Sequence, residues 1–371
     1  MSNDVSMIAD ALACKTEPRL EHVIFGTADP ALIVEAVDGF CEAQLRMGVR
    51  EYEFFATSVG SVHGVRLNDG RRVVVKVHRA DADRDHLLAV QRVQEHLIGA
   101  RFPSPRPLLG PTPLAAGLAV VETLLDHGCW ADPHRPAVRR EMASSCARLV
   151  ELCRPLAGLP GLSSIRDRAG RLWLQPHNPR FDFPGTSGGS EWIERLASAA
   201  NEQLDRFAGA DDVVGHSDYK AEHLRFADGA VSAVYDWDSL GIGSEPVVVA
   251  WAAYAFTADW SREGHQCVPT LDESLAFVAD YEAARGTPFT PEERQATSAG
   301  IVAALAYGAR CEHSDRLTDF GARSPRPAAL AVPPGGFLAS LQANGARLLG
   351  ITERGPAIAA RWRPCPPSRP S

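Results

Sequence analysis

Short apolar runs broken by turn sequences fill residues 51–79. EYEFFATSV, VHGVRL and RRVVVKVHR are β-branched runs that read as three strands. Asp69-Gly70, between the second and third runs, marks a hairpin turn. Around this patch the period shifts to that of a helix. Upstream, Asp29 suits an N-cap and Pro30 a first helical position, with Leu32, Val34, Val37, Phe40 and Leu45 on one stripe. Residues 1–28 carry little pattern and read as a lead-in. Downstream, residues 83–98 form a helix, and FPSPRPL cannot, because each proline forces the preceding residue into extended geometry. GLAVVETLLDHG is then an apolar strand ending at residues 122–125.

The second half is mostly helical. Helices are expected at residues 136–153, 190–207, 271–285 and 291–313, the last capped by Thr290 with Glu292 and Glu293 in its first turn. VVVAWAAYAF, after Pro246, reads as a buried helix, and FLASLQANGARLLG as a short one. A loop-rich insert, residues 155–189, carries Trp173, His177, Phe181 and Phe183. These rings either wall a substrate or anchor the insert, and anchoring is the commoner use. RWRPCPPSRPS reads as disordered. The fold class is α+β: a small antiparallel sheet followed by a larger helical part.

Composition narrows the function. An apolar share of 45% and a charged share of 23% describe an ordinary globular chain. A net charge of −8 argues against nucleic acid as partner, since phosphate binding needs a concentrated basic face. The eight cysteines are scattered without a C-x-x-C pair, which reads as a reducing cytoplasm. There is no basic-then-apolar leader, and no run approaches the roughly twenty apolar residues a membrane span needs. The oligomeric state is not legible.

The chemistry concentrates in residues 213–246, VVGHSDYKAEHLRFADGAVSAVYDWDSLGIGSEP. One apolar strand runs into Asp218 and another into Asp236, with Asp228-Gly229 as a tight turn between them. A hairpin of paired strands would bring both carboxylates to one cleft. Such a pair suits phosphoryl transfer, one carboxylate orienting a hydroxyl and the other holding a metal. Lys220 could stabilise charge on the transferred group, or be a plain loop lysine. His216 is expected to shape the loop, and Asp238 to bond the neighbouring backbone rather than join the metal site. Lys76 is a lone cation among valines, costly to bury without a partner. The bend around Gly60 has small residues that would let backbone approach a phosphate, though it lacks a full G-x-G-x-x-G. Asp259, Glu263, Glu312, Asp315 and Asp319 could form an acidic rim, although charges on helices are usually solvated faces.

H-x-D at residues 216–218, a metal-ligand residue five positions later, and the hydrophobic-Asp-Trp of residues 235–237 resemble the aminoglycoside phosphotransferase family, which has a protein-kinase-like fold. The resemblance implies two lobes, with ATP or GTP between them, Mg2+ or alternatively Mn2+ as the ion, and a small hydroxyl-bearing acceptor. It implies Asp218 as catalytic base, Asp236 as metal ligand and Lys76 as the lysine on the α- and β-phosphates. At the second metal position, where the family usually has Asn, this chain has His223; the macrolide phosphotransferases are similar in this respect. Magnesium prefers oxygen, so the histidine bears on metal choice. The lysine's carboxylate partner is expected on the next helix. Spacing points to Gln91 and charge to Glu95, the latter being preferred. Backbone groups of Glu122 to Leu124 would meet the adenine edge. The expected organisation is a lead-in and helix (1–50), a nucleotide-covering lobe (51–125), a catalytic lobe (126–321) and a Pro-rich extension (322–371).

Two rivals stand beside this reading. The chain could be a non-catalytic nucleotide-binding scaffold. It could also be a protein kinase, as Lys220 suggests, but Asp236 runs within ten residues into Glu245-Pro246 without room for a clear activation segment. The acceptor itself is not written in any motif.

Overall fold

The structure is a computed structural model that describes residues 3–13, 19–57, 59–166, 170–173, 176–178, 180–207, 211–318 and 335–351. The Pro-rich and Arg-rich termini and Asp319 lie outside the described residues.

Three helices precede the sheet: α1 (Asn3–Ala13), α2 (Arg19–Phe25) and α3 (Pro30–Leu45). Within the weakly patterned lead-in, α1 and α2 are helices that the sequence did not mark. Ile8, Leu12 and Ile24 enter one core with Ile33, Val37 and Phe40 of α3 and with Val65, Val73, Val75 and Val77 of the sheet. Short helices with few apolar anchors leave a faint period, because most of their stability comes from the surface they cover. Asp29 caps α3 as expected, accepting from the Ala31 N–H at 2.9 Å.

The sheet contains β1 (Val49–Thr57), β2 (Ser61–Leu67), β3 (Arg72–His78), β4 (Pro107–Leu114) and β5 (Gly117–Thr123), in the order β1-β2-β3-β5-β4 with antiparallel neighbours. β4 contains three prolines and gave no strand signal; it sits at the sheet edge, where a missing N–H is tolerated. Between β3 and β4 runs α4 (Arg84–Gly99), with Asp83 accepting from the N–H groups of Asp85 and His86.

α4 straddles the two lobes. Val90, Val93 and Leu97 on its inner face join the core of the second lobe rather than that of the sheet. The side chain of His96 also meets Leu152 O at 2.8 Å, and Arg148 donates to Ala100 O at 3.1 Å, across the same boundary.

The second lobe holds α5 (Pro136–Cys153), α6 (Glu191–Arg206), α7 (Glu245–Ala253), α8 (Leu271–Arg285), α9 (Pro291–Leu317) and α10 (Phe337–Leu348). α8 and α9 both begin in full capping boxes, Thr270 with Glu273 and Thr290 with Glu293. Four short strands carry the loops of interest: β6 (Asp212–His216), β7 (Leu224–Ala227), β8 (Ala230–Val234) and β9 (Leu240–Ser244). β7 and β8 form the hairpin, with Asp228 and Gly229 both at positive φ, as a type I′ turn requires. β6 does not pair with β8, as the sequence suggested, but with β9. The two carboxylate-bearing loops are brought together by two nested strand pairs, the β7–β8 hairpin lying within the β6–β9 pair.

Candidate active site

Lys76 stands in β3, whose central five residues are all buried. β3 pairs with β5 so that Lys76 lies opposite Val120, which puts Glu122, two residues on, on the same face. The ammonium Nζ is 3.2 Å from Glu122 Oε1 and 3.4 Å from Asp238 Oδ1. Glu122 Oε2 accepts from Gln94 Nε2 of α4 at 2.9 Å. Burial alone would lower the lysine's pKa, but the two carboxylates win and hold it above its ordinary value, firmly charged.

This corrects the expected partner. Glu95 is exposed on the outer face of α4, and the Gln91 amide is spent on Leu109 O at 2.8 Å. The inward residues of α4 include Val90, Val93, Gln94 and Leu97, and one helical step of about 100° turns Glu95 away from that stripe. The carboxylate comes instead from β5, with α4 supplying an amide that orients it. Asp238 is corrected too: its side chain faces Lys76 and lies 3.9 Å from His78 Nδ1, instead of serving only its own loop.

The expected adenine-edge segment is already engaged. Thr123 N–H donates to Arg106 O at 2.9 Å and Leu124 N–H to Arg72 O at 3.0 Å, leaving neither donor for a base. The side chain of Glu122, discounted at the sequence level, is the informative part. Gly60 lies in a short β1–β2 connection, since Thr57 already pairs with Ser61. A Cβ there would sit 3.1 Å from Val77 O, so the small residue lets the loop lie down on β3.

The second-lobe loops converge as expected. His216 Nε2 meets Tyr235 O at 2.9 Å and its Nδ1 accepts from Asp218 N–H at 3.2 Å. The ring therefore ties the two loops together as a neutral tautomer, and burial pushes its pKa down to about 4. Trp237, buried, packs against His216 and donates from Nε1 to Val234 O at 2.7 Å. Asp236 adopts φ +63 at the sharp turn, which aims its carboxylate back toward Asp218.

Ligating atoms of Asp218, His223 and Asp236 all lie within 4.8 Å of one another. His223 Nδ1 lies 3.0 Å from Asp218 O, the geometry of an N–H donor to a carbonyl. Its Nε2 then carries the lone pair, 3.8 Å from Asp236 Oδ2. Two carboxylates and an imidazole lone pair, facing one point, fit a divalent cation. Asp236 fits that role electrostatically: desolvation in the cleft and then the nearby Asp238 push its pKa upward, a cost that a cation would relieve. Lys220 Nζ is 2.9 Å from Asp218 Oδ2 and 3.4 Å from Glu222 Oε2. Burial works to raise the Asp218 pKa, but Lys220 and then His223 outweigh it, and the carboxylate stays ionised.

Of the expected acidic rim Glu263 is exposed, whereas three members are engaged. Asp259 is bound by Ser261 and Arg262, Glu312 by Arg316 and Leu338 N–H, and Asp315 by a two-pronged contact from Arg180. The insert's rings mostly anchor it: Phe183 packs on Trp173 and Tyr307, and Arg310 lies over its face. His177 is anchored too, its ring against Phe181 and Tyr307 and its Nδ1 2.9 Å from the Tyr307 hydroxyl.

A buried lysine held by carboxylates, an ionised aspartate beside a histidine and a second aspartate, and a cleft between an antiparallel sheet and a helical lobe are the arrangement of a kinase-like phosphotransferase. The chain belongs to the phosphotransferase enzyme family, whose profile matches residues 61–296. It is a phosphotransferase with an alcohol group as acceptor, of the small-molecule kinase class. No curated protein matches it in sequence. Among solved structures it is similar to a spectinomycin phosphotransferase in complex with ADP and spectinomycin, with 9% identity, TM-score 0.56, and 84% of this chain and 98% of that chain covered. It is similar to an amicoumacin kinase in complex with AMP-PNP and Ca2+, with 10% identity, TM-score 0.51, and 74% and 85% covered. A Plasmodium vivax ethanolamine kinase gives 11% identity, TM-score 0.50, and 84% and 88% covered. At these identities the likeness is one of fold. No helix among the described residues is long and apolar enough to cross a membrane.

Proposed function

We propose that the protein transfers the γ-phosphoryl group of ATP, or GTP, to a hydroxyl of a small molecule, an antibiotic or a metabolite. The observation that carries this is the convergence of Asp218, His223 and Asp236 within 4.8 Å, across the cleft from a buried, charged Lys76. Complexes of the structural neighbours with ADP or AMP-PNP support a nucleotide, and the calcium of one supports a divalent cation. Asp236, His223 and Asp218 would hold the ion, Mg2+ or Mn2+, which neutralises charge on the phosphates when bound. Lys76 meets the phosphates, and Gly60 lets the β1–β2 connection lie close over them.

Asp218 accepts a hydrogen bond from the acceptor hydroxyl and aims its oxygen at the γ-phosphorus. As the new P–O bond forms, the bond to the β-phosphate oxygen breaks, the diphosphate leaves, and the hydroxyl proton passes to Asp218. A carboxylate held this firmly ionised is a weak proton acceptor, so its main work is orientation, which suffices for a loose transition state. Lys220 keeps Asp218 ionised and in place. The six described cysteines are unpaired, which supports a reducing, cytoplasmic setting.

Asp218→Ala is expected to lower ATP-dependent phosphorylation by about 10²–10⁴-fold with nucleotide affinity nearly intact. Unchanged turnover would remove Asp218 from the mechanism. Retained nucleotide binding with no transfer by the native chain, to any acceptor, would favour the scaffold reading.

A further inference from the structure

Lys220 lies between two carboxylates, only one of which, Asp218, meets the acceptor. Its Nζ is 2.9 Å from Asp218 Oδ2 and 3.4 Å from Glu222 Oε2, and its side chain is 12% exposed. Coulomb attraction falls as the inverse of distance, so the pull of Glu222 is only about 15% weaker than that of Asp218. Glu222 Oε2 is itself buried and has no hydrogen-bond partner among the described residues. A buried carboxylate oxygen without a donor is costly, so something must hold the glutamate there.

The backbone supplies that hold. Glu222 N–H donates to Ala258 O at 3.0 Å, its carbonyl accepts from Arg225 Nη1 at 3.2 Å, and the neighbouring Ala221 N–H donates to Phe256 O at 2.9 Å. Phe256, Thr257 and Ala258 are fully buried. Thr257 is tied on by its hydroxyl, which donates to Cys267 O at 3.0 Å, and by its carbonyl, 2.7 Å from His265 Nε2. The catalytic loop therefore rests on a fixed segment after α7, and Glu222 is carried at the anchor point. Asp218, for its part, needs one oxygen free. The nearest approaches of Lys220 and of His223, at 2.9 and 3.7 Å, both fall on Oδ2, and no hydrogen bond among the described residues reaches Oδ1. An ammonium that answered to Asp218 alone would settle between the two oxygens, both of which accept. It would then occupy the lone pairs that the acceptor hydroxyl needs.

Resting on the proposed kinase reading, we propose that Glu222 is a positioning residue: it holds Lys220 to the Oδ2 side of Asp218 and so keeps Oδ1 open to the acceptor hydroxyl. Glu222 touches no reacting atom and acts only through Lys220.

The test uses the full chain with Mg2+, ATP and water as the acceptor, together with NMR of protein labelled with [ε-13C]lysine. Lys15, Lys76 and Lys220 are the chain's three lysines, so each resonance can be assigned by substitution. Glu222→Gln keeps the shape of the side chain and removes its charge. The expected result is a kcat for hydrolysis lowered about ten-fold, a KM for ATP within about two-fold of native, and a displaced Lys220 resonance beside an unmoved Lys76 resonance, which also shows the variant folded. Glu222→Asp should recover most of the rate. With Lys220→Met in place, Glu222→Gln should cost nothing further, because the two act as a unit. An unchanged kcat, a raised KM alone, an equal loss in the Lys220→Met background, or an unmoved Lys220 resonance would each overturn the inference. A native chain that transfers no phosphoryl group from ATP to water or to any other acceptor would sink the kinase reading instead. The Lys220 resonance would still decide on Glu222, so the two readings fail separately.

Discussion

Replacing Glu122 by Gln tests where the lysine's partner resides. The substitution keeps the side chain's shape and its contact with Gln94 and removes one charge. At 3.2 Å, with an effective dielectric near 20, the bare Lys76–Glu122 attraction is about 5 kcal/mol. Removing one member of a buried pair costs about 3–5 kcal/mol when the remaining charge is stranded. Lys76 is not stranded, because Asp238 stays 3.4 Å away, so the expected loss of stability is about 1–2 kcal/mol. The lysine, no longer pulled from two sides, should lean toward Asp238. ATP affinity should then fall about ten-fold, the worth of one charged hydrogen bond. Glu95→Gln, on the exposed face of α4, should change stability by less than about 0.5 kcal/mol and leave ATP affinity alone. Urea unfolding midpoints and nucleotide titrations on both variants decide the matter. A larger effect from Glu95→Gln, or none from Glu122→Gln, would refute the assignment.

Other expectations follow from the same geometry. His223→Asn replaces a nitrogen ligand by oxygen and should raise the ratio of turnover with Mg2+ to that with Mn2+; an unchanged ratio would take His223 out of the cation site. His134 Nδ1 and Glu273 Oε1 are 2.7 Å apart. The hydrogen bond that His134 donates to Glu273 raises the His134 pKa above 6.5, so that contribution is full below pH 6.5 and fades as pH rises through the folded value. For Glu273, burial is outweighed by bonds from His134 and Thr270 that hold it at about 2, so its contribution is present above 4.5 and fades as pH falls toward 2. Both count between pH 4.5 and 6.5, and His134→Gln should destabilise more at pH 5.5 than at pH 9 in denaturant titrations; equal losses at both pH values would refute the pairing.

Much of this was legible because local chemistry marked it. Asp69-Gly70, the Thr290 capping box and the apolar period of α5 each act within a few residues, and a single sequence displays such signals. Asp218 and Asp236 stood out for the same reason. The Lys76 pairing was not legible in that way. It depends on the register of β3 against β5, a contact between residues 46 positions apart, and on which way α4 is rotated. A signal was nonetheless present: Glu122 is the sole charge in GLAVVET, as Lys76 is in VVVKV, and two isolated opposite charges in neighbouring buried strands need each other. The strand pairing of β6 with β9 was missed because the Asp228-Gly229 hairpin is a stronger local cue than any longer-range pairing.

The position of α4 has a thermodynamic consequence. Its sequence belongs to the sheet lobe, yet Val90, Val93 and Leu97 sit in the helical lobe's core, and His96 and Arg148 bridge the seam. Peeling the sheet away would bring those apolar side chains into water, at about 1.5–3 kcal/mol each. Neither half can melt without damaging the other, so heating the protein should give one calorimetric peak instead of two, and two resolved peaks would show the halves to be independent. Wide swinging of the lobes about α4 is equally costly, since it would pull the same side chains out of the helical core.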